Sequence, residues 1–517
     1  MNEPTVDTAN GTLRGIQEGH ILVFKGVPYA SPPTGGRRFR PPQPIEPWTG
    51  TRNAMAYGHI APQDPDPLTD LIPGCRSLFY HPTVSQSEDC LNLNIWTPAL
   101  IGSRPVLVWI HGGAFVGGSG SSPWLDGSHL AALHDVVVVT INYRLGILGA
   151  LMLDDPDSEL GYVSNAGLLD QVAALEWVRD NIASFGGDPM RVCVGGGSAG
   201  AMSVVAILTM PAARGLYSRA IVQSGHAGFF DDDATSRAIS KHLLALLSVP
   251  NDGGALAALS KIDIGTLLIA QRSLAAERPM PFRYAVDGKH LPQQPSVALK
   301  TGSHSLPPLI IGTNADEAKL FRAVSSMGGT SNSHELLVAP ALGAQARDFV
   351  TELIRSCDGM NADDAWDLVT TDLDWRIPVR TIADTYASAG AQVYVYEFDW
   401  RTAVLNGQLG ACHALEVPFV FDNLRRTGVA SFVGDDPETL SSAAKLAKVI
   451  GDYWTSFARE GCPDADGMPL WPPYDTNSRQ LMVLGHATEV TVDPHHARIE
   501  RLLSSLPVES IGNLHWE

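Results

Sequence analysis

The 517-residue sequence lacks any run of about 18 apolar residues, and its start, MNEPTVDTANGTLRG, has neither a basic stretch nor an apolar one. A chain of this kind is expected neither to cross a membrane nor to carry a secretion signal, and a cytoplasmic location is the expectation. Positive charge is also scarce: 36 Lys and Arg against 55 Asp and Glu give a net charge of −19. That sign disfavours nucleic acid or an anionic membrane surface as a partner. Cysteine is sparse, with six residues at 75, 90, 193, 357, 412 and 462 and no CxxC spacing among them. No cysteine metal site is expected, and a reducing compartment suits such thiols. Cys193 reads as a small buried hydrophobe, while Cys75 and Cys90 form a pair able to close a loop under oxidising conditions. Internal repeats, low-complexity tracts and Ser/Gly-rich linkers are missing too. Their absence argues for one large α/β domain over residues 1–517 rather than three of ~150 residues.

What is present is a set of short apolar runs that end in glycine. In RVCVGGGSAG (191–200), the run Val192–Val194 stops at glycines surrounding one serine. Gly196, Ser198 and Gly200 make G-x-S-x-G, the pattern of a tight strand-to-helix turn that exposes a serine hydroxyl. Ala199–Met210, closed by Pro211, reads as the helix that follows. PVLVWI (105–110) reads as a strand buried on both faces, and it empties into His111-Gly112-Gly113-Ala114-Phe115. Residues without bulk at that point leave the N–H groups of Gly113 and Ala114, joined by that of Ala199, free to face a developing oxyanion. His111 reads as a buttress of this turn, and Gly117–Gly127 as a flexible rim carrying Trp124 as a pocket wall.

Further along, alternating apolar residues in SEDCLNLNIW (87–96) suggest a half-buried strand, and VVVVTIN (136–142) a fully buried one. Leu168, Val172, Leu175, Val178 and Ile182 form one helical stripe within Asn165–Phe185, and Arg219–Gln223 is another strand. This alternation predicts a mostly parallel sheet flanked by helices, with Ser198 at the carboxyl end of a central strand. Helical hairpins over the cleft are expected between 229 and 306 and between 325 and 388. Leu440–Phe457, ended by Gly461, reads as an amphipathic helix that packs on the core or on a partner subunit.

A nucleophilic serine needs a base and an acid. Sixteen histidines compete for the first role, and spacing does not choose among them. His413, in GACHALEVPFVF, follows small residues that admit an imidazole. His226 is the local rival, and His290, His304 and His486 sit in loop-like sequence. For the acid, PLIIGTNADEAKLF (308–321) ends a strand on Asp316 and Glu317 side by side.

NYRLG (142–146), GLLDQVAALEWVRDNIASFGGDP (167–189) and AIVQSG (220–225), together with HGGAF and GGSAG, resemble the type-B carboxylesterase family. This is the cholinesterase-like branch of the α/β-hydrolases, with its nearest likeness among bacterial para-nitrobenzyl esterases. The resemblance implies an α/β-hydrolase fold with helical insertions over the cleft. It also implies hydrolysis of a small-molecule ester, without metal or organic cofactor, by a monomer or homodimer. It makes Ser198 the nucleophile, Glu317 the acid with Asp316 as structural alternative, and His413 the base, in the chain order of this fold. Gly113, Ala114 and Ala199 become the oxyanion hole, and the Ser224 hydroxyl supports the acid. Two ion pairs are implied, Arg38 with Glu88 and Arg144 with Asp170. A carbamate or amide hydrolase, or an acyltransferase, would use the same groups, whereas non-catalytic adhesion modules commonly lack one of the three. One departure stands out: the family's glutamate before the serine is Gly197 here, which implies a roomier and less charged pocket floor. No tryptophan lies between Cys75 and Cys90, where choline-selective relatives place a cation-binding ring, so choline esters are not expected.

Overall fold

Val106, Val108 and Ile110 pack into one hydrophobic core, while the intervening Leu107 and Trp109 pack into another. The same alternation places Val137, Val139 and Ile141 on one side and Val138 on the other, and separates Val192 and Val194 from Cys193. Successive side chains of a strand point to opposite faces, so a run that is apolar throughout needs cover on both faces. The computed structural model describes residues 3–505 except 73, 76–78, 82, 279, 303–305, 328–346 and 356–359.

These runs are strands of one 11-stranded sheet. In chain order they are β1 (Ile16–Glu18), β2 (Ile21–Pro28), β3 (Asn92–Thr97), β4 (Arg104–Ile110), β5 (Val137–Ile141) and β6 (Gly187–Gly197). Then come β7 (Arg219–Gln223), β8 (Leu309–Asn314), β9 (Val393–Asp399), β10 (Gln480–Gly485) and β11 (Thr488–Val492). Their spatial order is β11-β10-β9-β8-β7-β6-β4-β5-β3-β2-β1. The block from β10 to β5 is parallel throughout, and antiparallel pairing is confined to the two margins. This is the α/β-hydrolase architecture expected from the sequence. β6, which leads to Ser198, is the middle strand.

One strand differs from its expectation. β3 is buried at every position, not alternately, because both of its faces are covered, with Leu93 and Ile95 in the first core and Trp96 in the second. Its polar residues are satisfied there: the Asn94 amide donates to Gly120 O and to Thr140 Oγ1, both at 3.1 Å. The helical stripe forms a helix over Ala166–Asn181, continued by a 3₁₀ turn at Ile182–Phe185. The helix expected over Leu440–Phe457 is longer than its apolar stripe and spans Pro437–Glu460. Asp436 caps its start by accepting from Thr439 N, and Gly461 ends it at φ 82°. Its Ala443, Leu446, Ile450, Trp454 and Phe457 are buried in the second core, so this helix packs on the core.

The first expected hairpin region contains helices Asp233–Leu246, Ala255–Leu259 and Ile264–Glu277. The second contains Ala362–Thr371, a π-helical turn at Asp372–Arg376 and Ile377–Ser388, while 328–346 and 356–359 lie outside the described residues. No helix among the described residues is long and apolar enough to cross a membrane.

Both ion pairs form. Arg38 meets Glu88 through two bonds of 2.5 Å and also donates to the carbonyls of Leu259 and Ile262, tying its own segment to the end of the helix Ala255–Leu259 and the turn after it. Arg144 grips Asp170 at 2.8 and 2.7 Å, with both side chains buried. Removing either partner of the second pair would strand a buried charge, a loss of ~3–5 kcal/mol. Cys75 and Cys90 are buried free thiols in different cores, and Cys193 is fully buried with its thiol pushed up to about 12 by burial. Cys357 lies outside the described residues.

Candidate active site

Five neighbouring strands of the parallel block, β9, β8, β7, β6 and β4, deliver the sequence-selected groups at their carboxyl ends, the edge where open α/β sheets bind ligands. β6 ends at Gly197, and the helix Ala199–Ile207 starts two residues later. Ser198 bridges them at φ 57°, ψ −128°, outside the regions that L-residues ordinarily occupy. The flanking glycines are steric requirements. A Cβ on Gly196 would lie 2.6 Å from the Gly200 carbonyl carbon, and one on Gly200 would fall on the Ile110 carbonyl oxygen. Gly197 is different, because a Cβ there meets nothing closer than Val417 Cγ2 at 3.6 Å. Gly200→Ala is therefore expected to destabilise the fold by about 3 kcal/mol or more. Gly197→Ala should remain within about 1 kcal/mol of the parent. Denaturant unfolding of the two variants checks this, and equal losses would contradict the packing argument.

β8 ends at Asn314 and is followed by Asp316 and Glu317. Their roles separate cleanly. Asp316 pairs with Lys319 and Arg401 and accepts from Ala411 N at 3.0 Å, fastening the loop that carries His413. Glu317 is fully buried and accepts through Oε1 from Ser224 Oγ at 2.5 Å and from Asn314 N at 2.7 Å. Its Oε2 lies 2.6 Å from His413 Nδ1. A carboxylate offers only lone pairs, so this contact sets the ring proton on Nδ1 and leaves Nε2 as an acceptor. That Nε2 is buried and has no hydrogen-bond partner among the described residues.

His413 and Ser198 line one cavity of about 440 Å³. No hydrogen bond joins them directly, and in such sites this bond often tightens only when substrate is bound. The N–H groups of Gly113, Ala114 and Ala199 make no hydrogen bond to protein among the described residues. Gly113 at φ 117° and Ala114 at φ 54° turn the chain so that these donors border the same cavity. A side chain at Gly113 would collide with the Gly117 carbonyl. His111 buttresses this loop, as its position implies: its ring stacks on Tyr143 at 4.4 Å, and burial pushes its pKa down to about 4.

Two sequence expectations need correction. Gly117–Gly127 is packed rather than a flexible rim, and Trp124 is fully buried against Phe432. A 3₁₀ turn at Pro123–Leu125 rotates Trp124 into the core, and Leu125 lines the cavity instead. The floor beside Gly197 is also not free of carboxyl groups. Glu416 Oε1 stands 4.0 Å from where a Gly197 Cβ would be, and Glu416 accepts from Gln223 Nε2 at 3.2 Å and Asn314 Nδ2 at 2.6 Å. Burial and the nearby Glu317 charge push its pKa up to about 7, with His413 opposing. Only its place three residues after His413 hinted at this in the sequence.

Of the rival histidines, His226 lines the cavity wall, its Nδ1 accepting from Gly228 N and its ring edge-on to Phe229 and Trp375. His486 packs at a tilt against Trp400, and His290 lies in a loop whose N–H groups bond to Asp287. Neither of these two borders the cavity. His304 lies outside the described residues. Asp374 and Trp375, from the π-helical turn, also line the cavity and were not singled out in the sequence. Among the described residues, no cluster of His, Cys, Asp and Glu could hold a metal ion.

Residues 2–501 match the model of the carboxylesterase family. The chain is 38% identical over 515 residues to a para-nitrobenzyl esterase of Bacillus subtilis, covering 98% of this chain and 99% of that protein. It is 34% identical to a phenmedipham hydrolase of Pseudarthrobacter oxydans, covering 97% and 100%. Among solved structures, a carboxylesterase of Geobacillus stearothermophilus superposes with a TM-score of 0.84 at 38% identity, covering 97% of this chain and 100% of that one. The chain therefore belongs to the carboxylesterase family, enzymes that hydrolyse carboxylic esters.

Proposed function

We propose that this protein is a serine carboxylesterase that hydrolyses small-molecule carboxylic esters through an acyl-enzyme on Ser198. The observation that carries the reading is the buried Glu317–His413 hydrogen bond, with His413 Nε2 left unpartnered on the cavity that Ser198 shares. Nε2 takes the hydroxyl proton as Ser198 Oγ attacks the ester carbonyl, and the resulting imidazolium is stabilised by the Glu317 carboxylate. The oxyanion of the tetrahedral intermediate is met by the N–H groups of Gly113, Ala114 and Ala199. As the intermediate collapses, Nε2 returns its proton to the departing alcohol. Water then repeats the sequence on the acyl-enzyme, releasing the acid and restoring Ser198. Every group comes from one chain, so a monomer suffices. The buried free thiols suit the cytoplasm.

An organophosphate ester tests the assignment, because it traps the nucleophile irreversibly. Peptide mass spectrometry is expected to find the adduct on Ser198, in proportion to activity lost. Inactivation with the adduct on another residue would overturn the reading.

A further inference from the structure

The cavity wall is almost wholly apolar around the reacting groups, with Phe229, Met280, Leu320, Phe321 and Val324 contributing to it. Asp374 interrupts it. The carboxyl makes no hydrogen bond or ion pair with any described residue, and desolvation alone pushes its pKa up to about 8. Asp374 is half-buried and lines the cavity.

Its presentation is built into the fold. The π-helical turn Asp372–Arg376 interrupts an otherwise α-helical run from Ala362 to Ser388, and π-bulges of this kind recur at functional sites. One side of the turn is locked. Arg376 donates to Asp372 at 2.6 Å, to Glu397 at 3.0 Å and to Ala315 O at 2.7 Å, and Arg498 closes the network on Asp372 at 2.6 Å. The other side turns Asp374 and Trp375 to the cavity. Trp375 lies nearly parallel to Phe321, at 9°, and its centroid is 4.6 Å from that of His413. A lone carboxyl beside aromatic rings is the chemistry that receives an ammonium group, one by charge and the others by their π faces.

We propose that Asp374 is the specificity-determining carboxylate of this site, recognising esters that carry a protonated amine, with the cation held against Trp375 and Phe321. This rests on the esterase reading above. A carboxyl stranded in an apolar wall is costly to ionise by itself. An entering cation supplies the missing partner and draws the proton off. Preference for an amine ester over a neutral one of the same shape should therefore grow as pH rises through Asp374's titration, for as long as the amine stays protonated. Among the described residues, the other titratable side chains on the cavity are His111, His226, His413 and Glu416. Those that serve the chemistry act on both esters alike and cancel from the ratio.

The test compares kcat/KM for 2-(dimethylamino)ethyl butyrate and 3-methylbutyl butyrate, and for the p-nitrophenyl esters of 4-(dimethylamino)butyric and 5-methylhexanoic acids. The two pairs place the charge in the alcohol or in the acyl part. In the parent enzyme the cationic-to-neutral ratio of one pair is expected to rise between pH 7 and 8.5. Asp374→Asn should lower that ratio roughly ten- to a hundred-fold and flatten its pH dependence. Ratios that stay flat in the parent for both pairs would overturn the proposal, whether or not the variant folds, and so would equal losses on both members of each pair. Failure of the parent to hydrolyse any of the four esters would instead overturn the esterase reading on which this rests.

Discussion

Ser198→Ala is expected to lower kcat for p-nitrophenyl butyrate about a million-fold while leaving the fold intact. The size follows from the way the groups act as a unit. Without the hydroxyl there is nothing for His413 to deprotonate and no acyl-enzyme, so the residual rate comes only from the unpartnered N–H groups of Gly113, Ala114 and Ala199 acting on bound ester. The fold survives because the change removes only Oγ. Alanine keeps the Cβ already accommodated at φ 57°, and among the described residues the hydroxyl has no hydrogen-bond partner to strand. Steady-state kinetics and thermal unfolding measured side by side check both halves. Activity within tenfold of the parent would remove Ser198 from the mechanism, and a collapsed unfolding transition would show that the residue is structural.

The features legible in the sequence are those whose physics is local. Apolar runs such as Val136–Asn142 announced strands because a strand covered on both faces has no solvent side. The glycines around Ser198 announced the elbow because no side chain fits there. What was not legible depends on where distant segments meet. Asn92 and Asn94 read as the exposed side of a strand, but Gly120 and Thr140, brought in from elsewhere, pair with the Asn94 amide in the interior. Trp124, set in a glycine-rich stretch, read as cavity wall, yet a single turn of 3₁₀ helix swings it inward. Gly197 announced a lost carboxylate without showing that Glu416 would stand on the far side of the space it vacates. Asp374 and Trp375 reach the cavity through a π-helical turn, whose residue spacing breaks the helical periodicity by which a buried face is recognised.

The acid differs from the nucleophile in that it never touches substrate, and its removal acts through the ring it holds. Glu317→Gln is expected to reduce kcat by about 10⁴ with KM little changed. Oε1 of Glu317 receives two donors, the Ser224 hydroxyl and the Asn314 N–H. Only a carbonyl oxygen can stand there, so the glutamine amide must orient with its oxygen at that point and its NH₂ where Oε2 now lies, 2.6 Å from His413 Nδ1. The NH₂ is a donor, and Nδ1 must accept from it, which moves the ring proton to Nε2. An imidazole protonated at Nε2 has no lone pair to offer Ser198, so the ring keeps its place and loses its function as a base. The cavity wall is untouched, and the change therefore falls on kcat. A loss smaller than tenfold would mean that His413 takes its tautomer from another source. A large loss accompanied by a matching rise in KM would mean that the substitution disturbed the pocket rather than the proton.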